Sequence, residues 1–187
     1  MGRGSPWRSD MGNRSGLQLV HPVGQDEWVT TGNFKSVDLL ADEIHTVLSR
    51  LSNDDAINIG LLALKHAREQ RLAIALEVHR AGRVVFRAAL PGSTPDNDRW
   101  LTNKARVVES FQHSTMFERV RHEESGIDFY AATGLSPESF AAHGGGVPLA
   151  VKGTGVIGAL IVSGLPQVDD HNFAMDVLTR YLAGEKA

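Results

Sequence analysis

The sequence predicts an α/β protein of the α+β type, an antiparallel sheet flanked by helices. Two pairs of apolar strands are each joined by a glycine-bearing turn, and helix-period segments precede, separate and follow them. At 187 residues and 42% hydrophobic composition, with no internal linker or repeat, the chain suits one full-sized core.

The elements follow in order. Residues 36–51, SVDLLADEIHTVLSRL, set Val37, Leu40, Ala41, Ile44, Val47, Leu48 and Leu51 three and four apart, one helical stripe with Ser36 as N-cap. NDDAINIGLLALKHAREQ restarts at the capping residues Asn53 and Asp54; it aligns Ile57, Leu61 and Leu64, and Ile59 and Leu62 widen that face. LAIALEVH alternates Leu72, Ile74, Leu76 and Val78 with smaller or polar residues, and RVVFRAAL returns after a turn near Gly82. After the loop PGSTPDND, Asn97 or Asp98 caps a helix carrying Trp100, Leu101, Val107, Val108 and Phe111. STMFERVRHEE continues with Met116, Phe117 and Val120. GIDFYAA reads as a short strand, and SPESFAAH as one turn of helix with Ser136 capping and Pro137 first. VPLAV and VIGALIVSG are strands joined by KGTG; the second is apolar almost throughout, so both its faces are covered and it is central. VDDHNFAMDVLTRYL then covers the sheet with Ala174, Val177, Leu178, Tyr181 and Leu182.

Composition excludes several function classes. Without cysteine there are no disulfides, thiolate metal sites or cysteine nucleophiles, which leaves His, Asp and Glu as metal ligands. The net charge is -3; setting aside three Arg and one Asp in residues 1–16 leaves 16 basic against 21 acidic residues, which argues against nucleic acid as a partner. No window reaches the roughly 18 apolar residues of a membrane span. Residues 1–32 read as a disordered tail rich in Gly, Ser and Arg, with Met11 as an alternative start and no signal-peptide core. Residues 33–187 form the single domain, and a cytoplasmic location is expected.

Three stretches resemble a known family: HAREQ feeding LAIALEVHRAGRVVF, then PDNDRWLTNKARVV, and GGGVPLAVKGTGVIGALIVSGLPQVDDHNFA. They are similar to the haem-degrading-domain family, which takes in haem-binding sensors, glycolate-operon accessory proteins and the C-terminal domain of some cobalamin adenosyltransferases. The nearest branch is uncharacterised. It carries Asp-Asn-x-x-Trp, here Asp96, Asn97 and Trp100, and Ser-Gly-Leu-Pro followed by Asp-His, here Ser163 to His171. The resemblance spans roughly residues 36–184. It implies a profilin-like fold with about five antiparallel strands between helices, and assembly into homo-oligomers.

Three places have the residue types for a ligand. His143 precedes Gly144, Gly145 and Gly146, where missing side chains let a planar ligand or an anion approach the backbone and the imidazole offers an iron ligand; the alternative is a strand-entry bend. Asp169, Asp170 and His171 open the last helix and suit a metal or an anion, although adjacent helical carboxylates diverge and simply complement the helix dipole. Trp100 and Lys104 share a helical face beside Arg99 and Arg106, an arrangement that suits haem propionates or serves as core packing with solvated charge. The leading expectation is a soluble homo-oligomer binding haem or another planar or anionic small molecule near subunit boundaries. His143 or His171 would be the axial ligand, and Arg99 and Lys104 would meet the acidic groups. An accessory or scaffold protein without chemistry is the second reading. A small-molecule enzyme using Asp169, Asp170 or His171 on a carboxylate- or phosphate-bearing substrate is the third. No catalytic residue is assigned.

Overall fold

The computed structural model describes residues 31–187; residues 1–30, most of the expected tail, lie outside the described residues. The elements run α1 (Ser36–His45), α2 (Asn53–Glu69), β1 (Ala75–Arg80), β2 (Arg83–Ala89), α3 (Pro95–Phe111), α4 (Thr115–Glu124), α5 (Phe129–Thr133), β3 (Gly146–Val151), β4 (Gly155–Ser163) and α6 (Gln167–Leu182). The antiparallel sheet flanked by helices is present. Among the described residues it has four strands, in the order β2-β1-β4-β3. Beyond β3, Leu48 adds a single parallel bridge to Val151.

Local chemistry accounts for the hairpins. Ala81 and Gly82 both take positive φ, 50° and 71°, the handedness that a two-residue turn between twisted strands requires. As its apolar run requires, β4 is internal, between β1 and β3. Leu160 and Val162 join the cluster built with Ile59, Leu62, Val177 and Leu178 of α2 and α6, while Ala159 and Ile161 meet Leu101, Ala105 and Val108 of α3. Each large side chain enclosed in this way contributes about 1.5–3 kcal/mol. The helices thus form a layer on each face of the sheet.

Several expectations change. GIDFYAA is not a strand: the Asp128 carboxylate accepts the N–H groups of Tyr130 and Ala131 and starts α5. SPESFAAH makes one hydrogen-bonded turn, from Ser136 O to the N–H groups of Ser139 and Phe140. α2 is capped one residue earlier, where the Ser52 hydroxyl and the Asp55 carboxylate satisfy each other's backbone N–H. α3 begins at Pro95, because the Asn97 side chain turns back to accept the Thr94 N–H at 2.7 Å.

The largest correction concerns which helical faces are buried. α1 ends at His45 and buries Leu39, whereas Val37, Leu40 and Ile44 of the predicted stripe are exposed. Ser36 is not its cap; the hydroxyl binds Glu124 of α4 instead. α2 buries Ala56, Ile59, Leu62 and Ala63 and exposes Ile57 and Leu61. Leu182 of α6 is exposed too. An apolar stripe fixes a helix's period but not which side of a wide stripe meets the core. No helix of the described residues is long and apolar enough to cross a membrane.

Candidate functional site

Around the Gly-rich segment the fold gathers α3, α4, the start of α6 and the connection into β3. Trp100 and Lys104 lie one helical turn apart on α3. The Lys104 ammonium, only 3% exposed, donates to Val162 O and to Asp170 Oδ2, each at 2.8 Å. The other carboxylate oxygen of Asp170 accepts the Leu165 N–H at 3.0 Å. Burial pushes the Asp170 carboxyl upward, against the pull of Lys104 and the backbone donors of Leu165 and Gly164. A pair this enclosed costs much to desolvate and fixes geometry more than it adds stability.

The three glycines are used in close packing. Gly145 takes a φ of +115°, and a Cβ there would lie 2.5 Å from Val162 O and 2.8 Å from Lys104 Nζ. A Cβ on Gly144 would meet Gln167 O at 2.1 Å, and one on Gly146 would meet the Thr115 side chain at 2.8 Å. Thr115 Oγ1 accepts the Gly146 N–H at 3.0 Å, and Gln167 Oε1 accepts the Gly144 N–H at 3.3 Å. All three are buried, so their amides and the space of their missing side chains face protein rather than an open cradle.

His143 sits just before them, half-buried. Its ring packs edge-on against Trp100, centroids 5.0 Å apart at 72°. Its Nε2 is 3.3 Å from Arg119 Nη1 of α4, and its Nδ1 is buried without a partner. Burial pushes this imidazole down to about 4, and the Arg119 and Lys104 cations add to the effect, so the ring is neutral at pH 7. Asp96 orients the indole by accepting Trp100 Nε1–H at 3.2 Å, and its other oxygen pairs with Arg99 at 2.7 Å. Arg99, Trp100, Asn103, Pro137 and Glu138 line a shallow cleft of about 220 Å³ beside this corner.

His171 differs. It is 2% exposed, packs edge-on against Phe34 at 5.3 Å, and has a buried Nδ1 without a partner. Burial, with a smaller effect of Lys104, pushes it also to about 4. It is sealed inside the fold. Asp169 is exposed and lines a separate cleft with Gln70, Leu72, Leu165, Asn172, Phe173 and Asp176. The expected metal set of Asp169, Asp170 and His171 therefore does not assemble. Successive residues on a helix point about 100° apart, and Asp170 is occupied by Lys104. Among the described residues no group of three His, Cys, Asp or Glu side chains is placed to hold a metal ion.

The fold thus brings His143, Trp100, Lys104 and Asp170 together, with Arg99 at the rim and His171 enclosed behind. Sequence reasoning missed Arg119, Thr115 and Phe34. Nothing local singles them out: Arg119 meets His143 across 24 residues of chain, and Lys104 meets Asp170 across 66.

Comparison with known proteins gives the family and the fold. Residues 51–179 match the profile of the family described as haem degrading protein HbpS-like. A UPF0303 protein of Streptomyces coelicolor is 43% identical over 145 residues, covering 78% of this chain and 92% of its own. One from Streptomyces avermitilis is 41% identical, covering 78% and 89%. Among solved structures, the Ybr137w protein superposes with a TM-score of 0.74 at 23% identity, over 80% of this chain and 89% of that one. HbpS does so at 0.57 and 20% identity, over 72% and 92%. The structure described as a PduOC:heme complex gives 0.59 and 20%, over 69% and 93%. At these identities the structural likenesses establish the fold alone.

Proposed function

The chain belongs to the haem degrading protein HbpS-like family, and from that premise we propose that it binds haem or a similar planar, anionic small molecule at the His143–Trp100 corner. The observation that carries the reading is the neutral, half-buried His143 imidazole against the Trp100 ring, with Arg119 and Lys104 close by. Neutral imidazole is what iron takes, an aromatic edge suits a porphyrin, and Arg99 at the rim suits a carboxylate once freed from Asp96. His171 shares the neutral state but not the access. Of the two axial candidates, His143 is the less enclosed.

The donor chemistry fits haem, while the enclosure within one chain is small. Sites that bury most of a ligand this size occupy about 300–1,000 Å³, and the cleft beside Trp100 holds about 220 Å³. A porphyrin here would lie partly outside and take its second face from another copy. Apolar side chains exposed elsewhere on the chain favour association of copies without marking this cleft as the contact: Val37 and Ile44 of α1 are 69% and 65% exposed, and Ile57, Leu61 and Leu182 are 37–41% exposed. Bound haem would supply iron redox chemistry with a reductant delivered from outside; the chain's own residues hold and orient it.

Haemin titration followed at the Soret band tests the reading. Saturable, near-stoichiometric binding is expected, weakened at least tenfold in His143→Ala and retained in folded His171→Leu. No saturable Soret change in the intact protein, or equal binding by His143→Ala, overturns it.

A further inference from the structure

His143 offers one usable ring nitrogen. Nδ1 is buried in the protein without a partner, and Nε2 faces Arg119 Nη1 at 3.3 Å. A guanidinium only donates, so this contact is a hydrogen bond only when Nε2 holds a lone pair and the ring proton sits on Nδ1. Iron requires the same lone pair. Arg119 and an incoming metal therefore compete for one atom. We infer that Arg119 is a displaceable cap on His143, holding the ring in its Nδ1–H tautomer and covering Nε2 until a ligand moves the guanidinium aside. The inference rests on the reading of His143 as the ligand-facing histidine.

The geometry supplies a place for Arg119 to go. Its Nε lies 2.8 Å from Glu123 Oε1, one helical turn along α4, yet out of line for a hydrogen bond, so the ion pair is present and its best-directed contact is not. Glu123 Oε2 accepts the Thr31 hydroxyl at 3.0 Å, which leaves Oε1 to meet the guanidinium. Rotating the guanidinium from His143 toward Glu123 exchanges a 3.3 Å contact to a neutral ring for an aligned bond to a carboxylate. The guanidinium is charged in both arrangements, so a bond to the Glu123 carboxylate offsets the lost contact to the ring. The two arrangements need no backbone movement, since both partners of Arg119 lie within its reach already.

The test does not depend on haem. Long-range proton–nitrogen NMR of ¹⁵N-histidine-labelled protein reads the His143 tautomer directly. The Nδ1–H form is expected in the intact protein, with a shift toward a mixture in Arg119→Met. Carbethoxylation by diethyl pyrocarbonate, mapped to His143 by mass spectrometry, should run several-fold faster in Arg119→Met than in the intact protein, and at an intermediate rate in Arg119→Lys. An Nε2–H tautomer in the intact protein overturns the cap without any variant being made. So do unchanged tautomer and reaction rate in a folded Arg119→Met protein. If both respond and haemin still fails to bind, the cap stands and the haem reading falls. If haemin binds through His143 with the same association rate in Arg119→Met as in the intact protein, the cap falls and the haem reading stands.

Discussion

The residues of the site differ in what they cost the fold, and acid and substitution separate them. His143 and His171 titrate at about 4 in the folded chain, below the ordinary 6.5. As pH falls the unfolded chain takes up protons first, so the stability due to their neutral state is whole above pH 6.5 and is lost between there and about 4. For the more enclosed His171 the loss is up to about 3 kcal/mol. Asp170 acts in the opposite sense, because a raised folded-state carboxyl binds its proton before the unfolded one does. Urea denaturation at stepped pH should show stability falling across that window, and His171→Leu should flatten the fall; a curve the same in both proteins contradicts this account. Lys104→Met strands the buried Asp170 carboxylate and should cost about 3–5 kcal/mol. Adding Asp170→Leu should recover much of it, which a double-mutant cycle at constant pH measures. The types of Lys104, Asp170 and His143 were legible as candidates in the sequence. Their partners were not, because hydrogen bonding across 24 or 66 residues leaves no trace in local spacing.

At the scale of elements, hydrophobic period and turn chemistry predicted most of what forms. Alternation located β1 and β2, and an unbroken apolar run placed β4 between two neighbours. The same reading failed over residues 126–132, where Phe129 and Tyr130 suggest a strand, yet the Asp128 cap and Gly134 at the C-cap, with a φ of 69°, enclose a five-residue helix. The Gly144–Gly146 connection was legible as special, with ligand approach and a strand-entry bend as its two readings, and the close packing agrees with the bend. Its glycines exist because β3 enters under α6 and α4 with no room for a Cβ. Gly145→Ala combines a left-handed backbone with contacts at 2.5–2.8 Å and should destabilise by more than about 2 kcal/mol. Gly153→Ala, also at positive φ but in open space, should cost only the backbone strain of about 1 kcal/mol. Thermal melts of the two variants rank them, and equal losses would remove the packing argument.

For the whole molecule, the apolar residues divide between the inside of one chain and a surface. Leu39 is 1% exposed against Met116 and Val120, while Val37 and Ile44 on the same helix stand 69% and 65% exposed. Leu39→Ala should therefore lower stability by about 2–5 kcal/mol. Ile44→Glu should leave the fold intact and shift the protein toward monomer in light scattering. A monodisperse monomer before any substitution would sink the homo-oligomer. The sequence by itself determined the class of fold, the order of most elements and the residue types of the site, because period, capping and glycine turns act over a few residues. Only the tertiary structure decided which face of α1 and α2 is buried, that the three glycines pack against protein, that His171 is sealed, and that Arg119 meets His143. Those outcomes depend on which distant surfaces meet, and that is fixed by the summed burial of the core rather than by any one segment.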